Sequence, residues 1–108
     1  MAQNFRRYTS NDVGTSAATL FTADSYDTVV GISIANVTTS SVTASVYIND
    51  GSNDIYLVKD APIPSGSSLQ VLDGGAKVVC QSGDALKVVS DTASSLDCWV
   101  SAVDAIST

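Results

Sequence analysis

Eleven carboxylates, all of them Asp, are the side chains best able to do chemistry in this 108-residue chain, which has no Glu and no His. Without an imidazole there is no general base of the usual kind and no His metal ligand, so Ser-His-Asp and Cys-His catalysis are excluded. Serines are plentiful, yet no G-x-S-x-G elbow or S-x-x-K supplies the base that a nucleophilic serine needs. A glycosidase-type pair would have to be Asp with Asp, and no spacing singles one out. The oxygen-rich run Asn49-Asp50-Gly51-Ser52-Asn53-Asp54 lacks the alternating acidic order and the distal Glu of an EF-hand loop, and reads as a hairpin turn. Asp24 and Asp27, on either side of Tyr26, read in the same way. Cys80 and Cys98 have neither a C-x-x-C partner nor a His, which is too few ligands for a tetrahedral metal shell, and each stands where a small apolar residue would serve. They are expected as free, buried thiols. No phosphate-binding glycine pattern occurs. The expectation is a non-enzyme without cofactor or metal.

With catalysis set aside, binding remains. Tyr26, Tyr47, Tyr56 and Trp99 are candidate surface aromatics, suited to a protein interface or to a carbohydrate platform. Val89 and Val103 are also expected on outward strand faces, which favours an interface, first of all with copies of the same chain. Phe5-Arg6-Arg7-Tyr8 concentrates two of the five cations and two of the seven aromatics. Such residues anchor extended segments on partners, so residues 1–16 are expected as an extended arm, with 17–108 as one domain. The run from Met1 to Thr9 is too polar for a signal peptide. Asn36-Val37-Thr38 matches a glycosylation sequon, read as chance. Net charge is −6, which disfavours nucleic acid and anionic membranes, and no apolar run is long enough to cross a membrane as a helix.

These residues must be positioned by strands. Apolar positions alternate at period two, most clearly over 42–49, where Val42, Ala44, Val46 and Ile48 oppose Thr43, Ser45 and Tyr47. Further strands are expected at 18–22, 28–36, 53–59, 68–72, 76–80, 85–90 and 96–104, with one more possible at 4–9. Asn49-Asp50-Gly51, Asp73-Gly74-Gly75 and Ser82-Gly83-Asp84 read as turns, and Pro62-Ile63-Pro64-Ser65-Gly66 as a stiff connection. Short Asp side chains bond their own backbone in turns, which accounts for Asp in place of Glu. Short strands at this spacing imply an all-β fold: a compact antiparallel β-sandwich or jelly-roll-like domain of about eight strands. Lys59, Lys77 and Lys87 read as solubilising or edge-protecting charges.

Several runs together resemble small virion structural proteins of tailed bacteriophages, of the marine cyanobacterial phage type. They are Asn11-Asp12-Val13-Gly14-Thr15-Ser16, Leu20-Phe21-Thr22, Gly31-Ile32-Ser33-Ile34-Ala35-Asn36, the stretch from Tyr56 to Gly66, and Gly83-Asp84-Ala85-Leu86-Lys87-Val88. The resemblance spans nearly the whole chain and is structural in character. It implies a non-enzymatic all-β module used in many copies in the virion and assembled in the host cytoplasm. A homotrimeric capsid decoration (cement) protein bound to the major capsid protein is the leading expectation. The alternative is a tail, neck, baseplate or fibre accessory with a glycan-binding surface. On either reading Phe5, Arg6, Arg7, Tyr8, Tyr47, Tyr56 and Trp99 are the expected partner-binding residues.

Overall fold

The computed structural model describes residues 4–23, 27–72 and 78–104, with side chains for 5–23, 27–71 and 78–103. Tyr26, Asp24, Lys77 and the turn expected at Asp73-Gly74-Gly75 lie outside the described residues. Nine strands follow in order: β1 Asn4–Val13, β2 Ala18–Thr22, β3 Asp27–Asn36, β4 Val42–Asn49, β5 Asp54–Ile63, β6 Ser68–Leu72, β7 Val78–Cys80, β8 Ala85–Ser90 and β9 Leu96–Asp104. They form two antiparallel sheets. One has the order β1-β9-β3-β6, with β7 beside β6 on the same edge of β3; the other has the order β2-β8-β4-β5.

The pairing is nested. First pairs with last (β1 with β9), second with second-last (β2 with β8), then β3 with β6 and β7, and β4 with β5. Successive pairs of this long hairpin fall alternately in the two sheets, which is the winding of a jelly roll. The sandwich expected from the alternation is thus present, with β7 as a short addition to the eight rolled strands.

Side-chain alternation fills the space between the sheets. Val29, Ile32 and Ile34 of β3 and Leu96, Val100 and Ala102 of β9 meet Val42, Ala44 and Val46 of β4 and Leu86 and Val88 of β8, all buried. Completely burying a Val, Leu or Ile side chain contributes about 1.5–3 kcal/mol. Cys80 and Cys98 lie in this core as free thiols, and burial pushes their pKa values up to about 11 and about 12.

Two expectations need correction. Residues 4–13 are extended, but they are no detached arm: they form β1 and pair with β9 in unbroken register from Asn4 to Ser10. Tyr8 and Phe21 stack at 4.6 Å and 10°, so β1 is stitched to β2 of the opposite sheet. The boundary at residue 16 is a loop between strands of one domain. Strand β5 also runs beyond 59 through Ala61 and Pro62 to Ile63. A proline is tolerated there because β5 is an edge strand, where an N–H directed away from the ladder is not needed.

Candidate interaction surfaces

Residues opposite one another across an antiparallel ladder stand on the same side of the sheet. On the outer face of the β1-β9-β3-β6 sheet, one row therefore reads Phe5, Val103, Thr28, Val79 and another Thr9, Trp99, Ser33, Gln70. Phe5 is 85% exposed, Val79 62% and Trp99 50%. Arg7 belongs to the same face: its guanidinium lies 5.5 Å from the Trp99 ring centroid, on the diagonal between β1 and β9. Between these side chains the floor is small, made of Gly31, Ser33, Ala35 and Ser101. Standing rings over a low floor suit a flat macromolecular contact better than a small molecule.

The other outer face carries the row Thr19, Lys87, Tyr47, Tyr56. Tyr47 points outward as the alternation requires, yet it is buried, at 8% exposure. Its place on central strand β4 explains this, because β5 and β8 flank it and Tyr56 packs on it with centroids 5.0 Å apart. Desolvation raises its phenol pKa, and the charges of Asp54 and Tyr56 add to the shift. Tyr56, 43% exposed, is the aromatic offered to a partner here, and Lys59 lies over its ring at 5.0 Å. The two rings are tilted by 43° and do not make a coplanar platform.

The expected partner-binding residues thus divide. Phe5, Arg6, Arg7, Tyr56 and Trp99 are exposed, whereas Tyr8 is half-buried in its stack with Phe21 and Tyr47 is covered. Val89 and Val103, both half-exposed, lie on outer faces. The sequence signal that distinguishes Tyr47 from Tyr56 is strand position, central against edge, which alternation alone does not carry.

The oxygen-rich run 49–54 is a closed turn. Asp50 Oδ1 accepts from Ser52 N–H at 3.0 Å and Asn53 N–H at 2.8 Å, Asn49 Oδ1 accepts from Gly51 N–H at 2.9 Å, and Gly51 has φ 100°. These donors, Asn53 first, hold the Asp50 carboxyl below the ordinary carboxylate range. Among the described residues no three His, Cys, Asp or Glu side chains gather as a metal site. A shallow cleft of about 320 Å³ lies where the β1–β2 loop meets the β8–β9 turn, lined by Asp12, Gly14, Thr15, Ala93 and Ser94 among others.

Asn36, the sequon asparagine, is 2% exposed and its amide is fully engaged. Nδ2 donates to Ser40 O at 2.8 Å and Ile63 O at 2.9 Å, while Oδ1 accepts from Thr38 N–H at 2.9 Å and Thr38 Oγ1–H at 2.7 Å. It is a buried bracket that ties the end of β3 to the β3–β4 loop and the end of β5.

No protein-family model matches the sequence, and no curated protein matches it. Among solved structures, a chain described under "Bacillus endospore appendages form a novel family of disulfide-linked pili" superposes with a TM-score of 0.55 at 14% identity, covering 94% of this chain and 84% of that one. At that identity the likeness is one of fold: an all-β sandwich of the same kind.

Proposed function

We propose that this chain is a non-enzymatic virion structural protein that works in repeated copies: a capsid decoration protein, homotrimeric, stabilising the head through self-association and contacts to the major capsid protein. The observation that carries the reading is the outer face of the β1-β9-β3-β6 sheet, where Phe5, Val79 and Trp99 stand exposed over a floor of small residues. Exposed large apolar side chains gathered on one face mark a surface that is covered in use. The resemblance to phage virion proteins supplies the setting. The pilus-forming relative in fold is a second case of such a sandwich employed in an assembly of many copies. A decoration protein needs no pocket; it gains stability from neighbours only where the lattice presents them.

The test is imaging of purified particles that carry the protein. Density for a small β-sandwich in regular copies on the head is the expected result. Absence from the particle refutes the virion reading, and density confined to the tail, neck or fibre replaces decoration by an accessory role.

A further inference from the structure

Among the described residues, four strand edges of this sandwich are blunted and that of β1 is open over most of its length. Strand β2 has five residues and a register break between Thr19 and Phe21, while β6 and β7 have five and three residues. Strand β5 is long, but its register breaks twice around Val46, Asp60 is left-handed at φ 52°, and it carries Lys59 and Pro62. Short length, bulges, lysine and proline are the devices by which proteins discourage edge-to-edge pairing. Strand β1 has ten residues, no proline, no lysine and an unbroken register from Asn4 to Ser10. It ends its sheet, with β9 on one side and no strand on the other among the described residues. Its protective features are two arginines, of which Arg7 is laid over Trp99 of its own sheet instead of standing at the edge, and a register break between Ser10 and Val13 with Asp12 left-handed at φ 54°, confined to the far end of the strand.

We propose that β1 is a homotypic pairing edge: the β1 strands of two copies pair antiparallel about a two-fold axis and join their β1-β9-β3-β6 sheets into one. The charge order of the strand selects a second copy as the occupant. Arg6 and Arg7 stand toward one end and Asp12 toward the other, so antiparallel self-pairing brings the basic half of each strand beside the acidic half of its mate. Such a contact is isologous and closes as a dimer. The register follows by elimination. Centring on Arg7 sets Arg7 opposite Arg7 of the second copy, and like charges directly opposite are destabilising. Centring on Thr9 or beyond runs the ladder through Asp12, whose φ of 54° is not extended. Centring on Tyr8 avoids the first and meets Asp12 only at the end of the ladder, opposite Asn4; it places Arg7 opposite Thr9 and Arg6 opposite Ser10, with Arg6 diagonal to Asp12.

This goes beyond the virion reading and is tested on the purified full chain. In the double variant Arg7→Cys, Thr9→Cys, each new thiol faces the other residue's thiol across the axis, within the separation a disulfide spans. The native Cys80 and Cys98 are buried and do not compete. Mild oxidation is expected to give a covalent dimer of about twice 11.1 kDa, several-fold more abundant than with either single variant. Equal yields from double and single variants overturn the proposal. A measurement on the unmodified chain guards against a misfolded variant: hydrogen exchange of β1 amides is expected to slow as concentration rises toward about 1 mM, the range in which weak association becomes visible. Exchange in β1 that does not depend on concentration overturns the proposal as well. A trimer whose β1 amides stay unprotected would leave the decoration reading standing and remove this one.

Discussion

Replacing Asn36 by Ala is expected to be among the most damaging single changes in this chain, although the residue touches no partner surface. The side chain makes four hydrogen bonds, to Ser40 O, Ile63 O, Thr38 N–H and Thr38 Oγ1–H, from a site only 2% exposed. Alanine deletes all four and leaves the Ile63 carbonyl without this donor at a buried position. At about 1 kcal/mol net for an ordinary hydrogen bond, with a further penalty of about 1–3 kcal/mol for a buried group left unsatisfied, the loss comes to about 3–5 kcal/mol. For a domain stable by about 5–15 kcal/mol, that is a large part of the whole. In urea, with a slope of about 1–3 kcal/mol per M, the midpoint should fall by about 2 M. Thr38→Val, which removes the hydroxyl whose one proton lies between Asn36 Oδ1 and Ser40 O and whose oxygen accepts from Ser40 N–H, and spares the amide bonds to Ser40 O and Ile63 O, should cost about 1–2 kcal/mol. Equilibrium unfolding followed by the fluorescence of the single Trp, Trp99, reads both variants. If Asn36→Ala costs less than about 1 kcal/mol, the size of a surface substitution, the bracket argument is wrong.

Acidification should weaken the fold through Asp50 and Asp91. The backbone N–H groups of Asn53 and Ser52 hold the first carboxyl below its ordinary pKa, and that of Thr43, then the Thr92 hydroxyl, hold the second. A depressed folded-state pKa contributes stability that is present above the unfolded value and lost as pH falls through the folded one, so urea midpoints should drop below the ordinary carboxylate range, and Asp50→Asn with Asp91→Asn should flatten that drop. Native protein at neutral pH should not react with a thiol reagent, since burial holds the Cys80 and Cys98 thiols at about 11 and about 12; both should react after unfolding, and stoichiometric labelling of the native state would contradict the burial. Gly14→Ala should destabilise by about 1–3 kcal/mol, because its Cβ would meet Ala93 Cα and Ser94 N at 3.1 Å; Gly31→Ala, with only Ser101 Cβ at 4.0 Å, should be tolerated, and thermal melts of the pair decide the point.

Alternation made the sandwich legible, because a strand with one buried face must repeat at period two, and β4 does so from Val42 to Ile48. The turns were legible where Asx and Gly supply their own mechanism, as at Asp50 and at Gly83 with φ 95°. What alternation does not carry is neighbourhood. Tyr47 and Tyr56 read alike in sequence and differ in exposure because one lies on a central strand and the other on an edge. Pro62 looked like the start of a connection, because edge status, which excuses a missing N–H, is a property of the whole sheet. Residues 1–16 looked like an arm for the same reason: the contacts of β1 are with Phe21 of β2 and with β9, and the latter comes from the far end of the chain.

That last point changes how the Arg6 and Arg7 segment has to be probed. In a nested roll the first strand pairs with the last, so the N-terminal residues close the sheet edge over β9. Deleting residues 1–9, the obvious test of a detached arm, would remove six of the ten residues of β1, the Tyr8–Phe21 stack and the cation over Trp99 together. It would also uncover the β9 edge from Trp99 to Asp104, a row of freed backbone groups that itself invites pairing. Loss of binding after such a deletion would report a damaged sandwich as readily as a lost contact. Substitutions that keep the strand, such as Arg6→Gln or Phe5→Ser at exposed positions, separate the two. They leave the backbone ladder intact, so an unaltered melting profile with altered association would assign the effect to the surface.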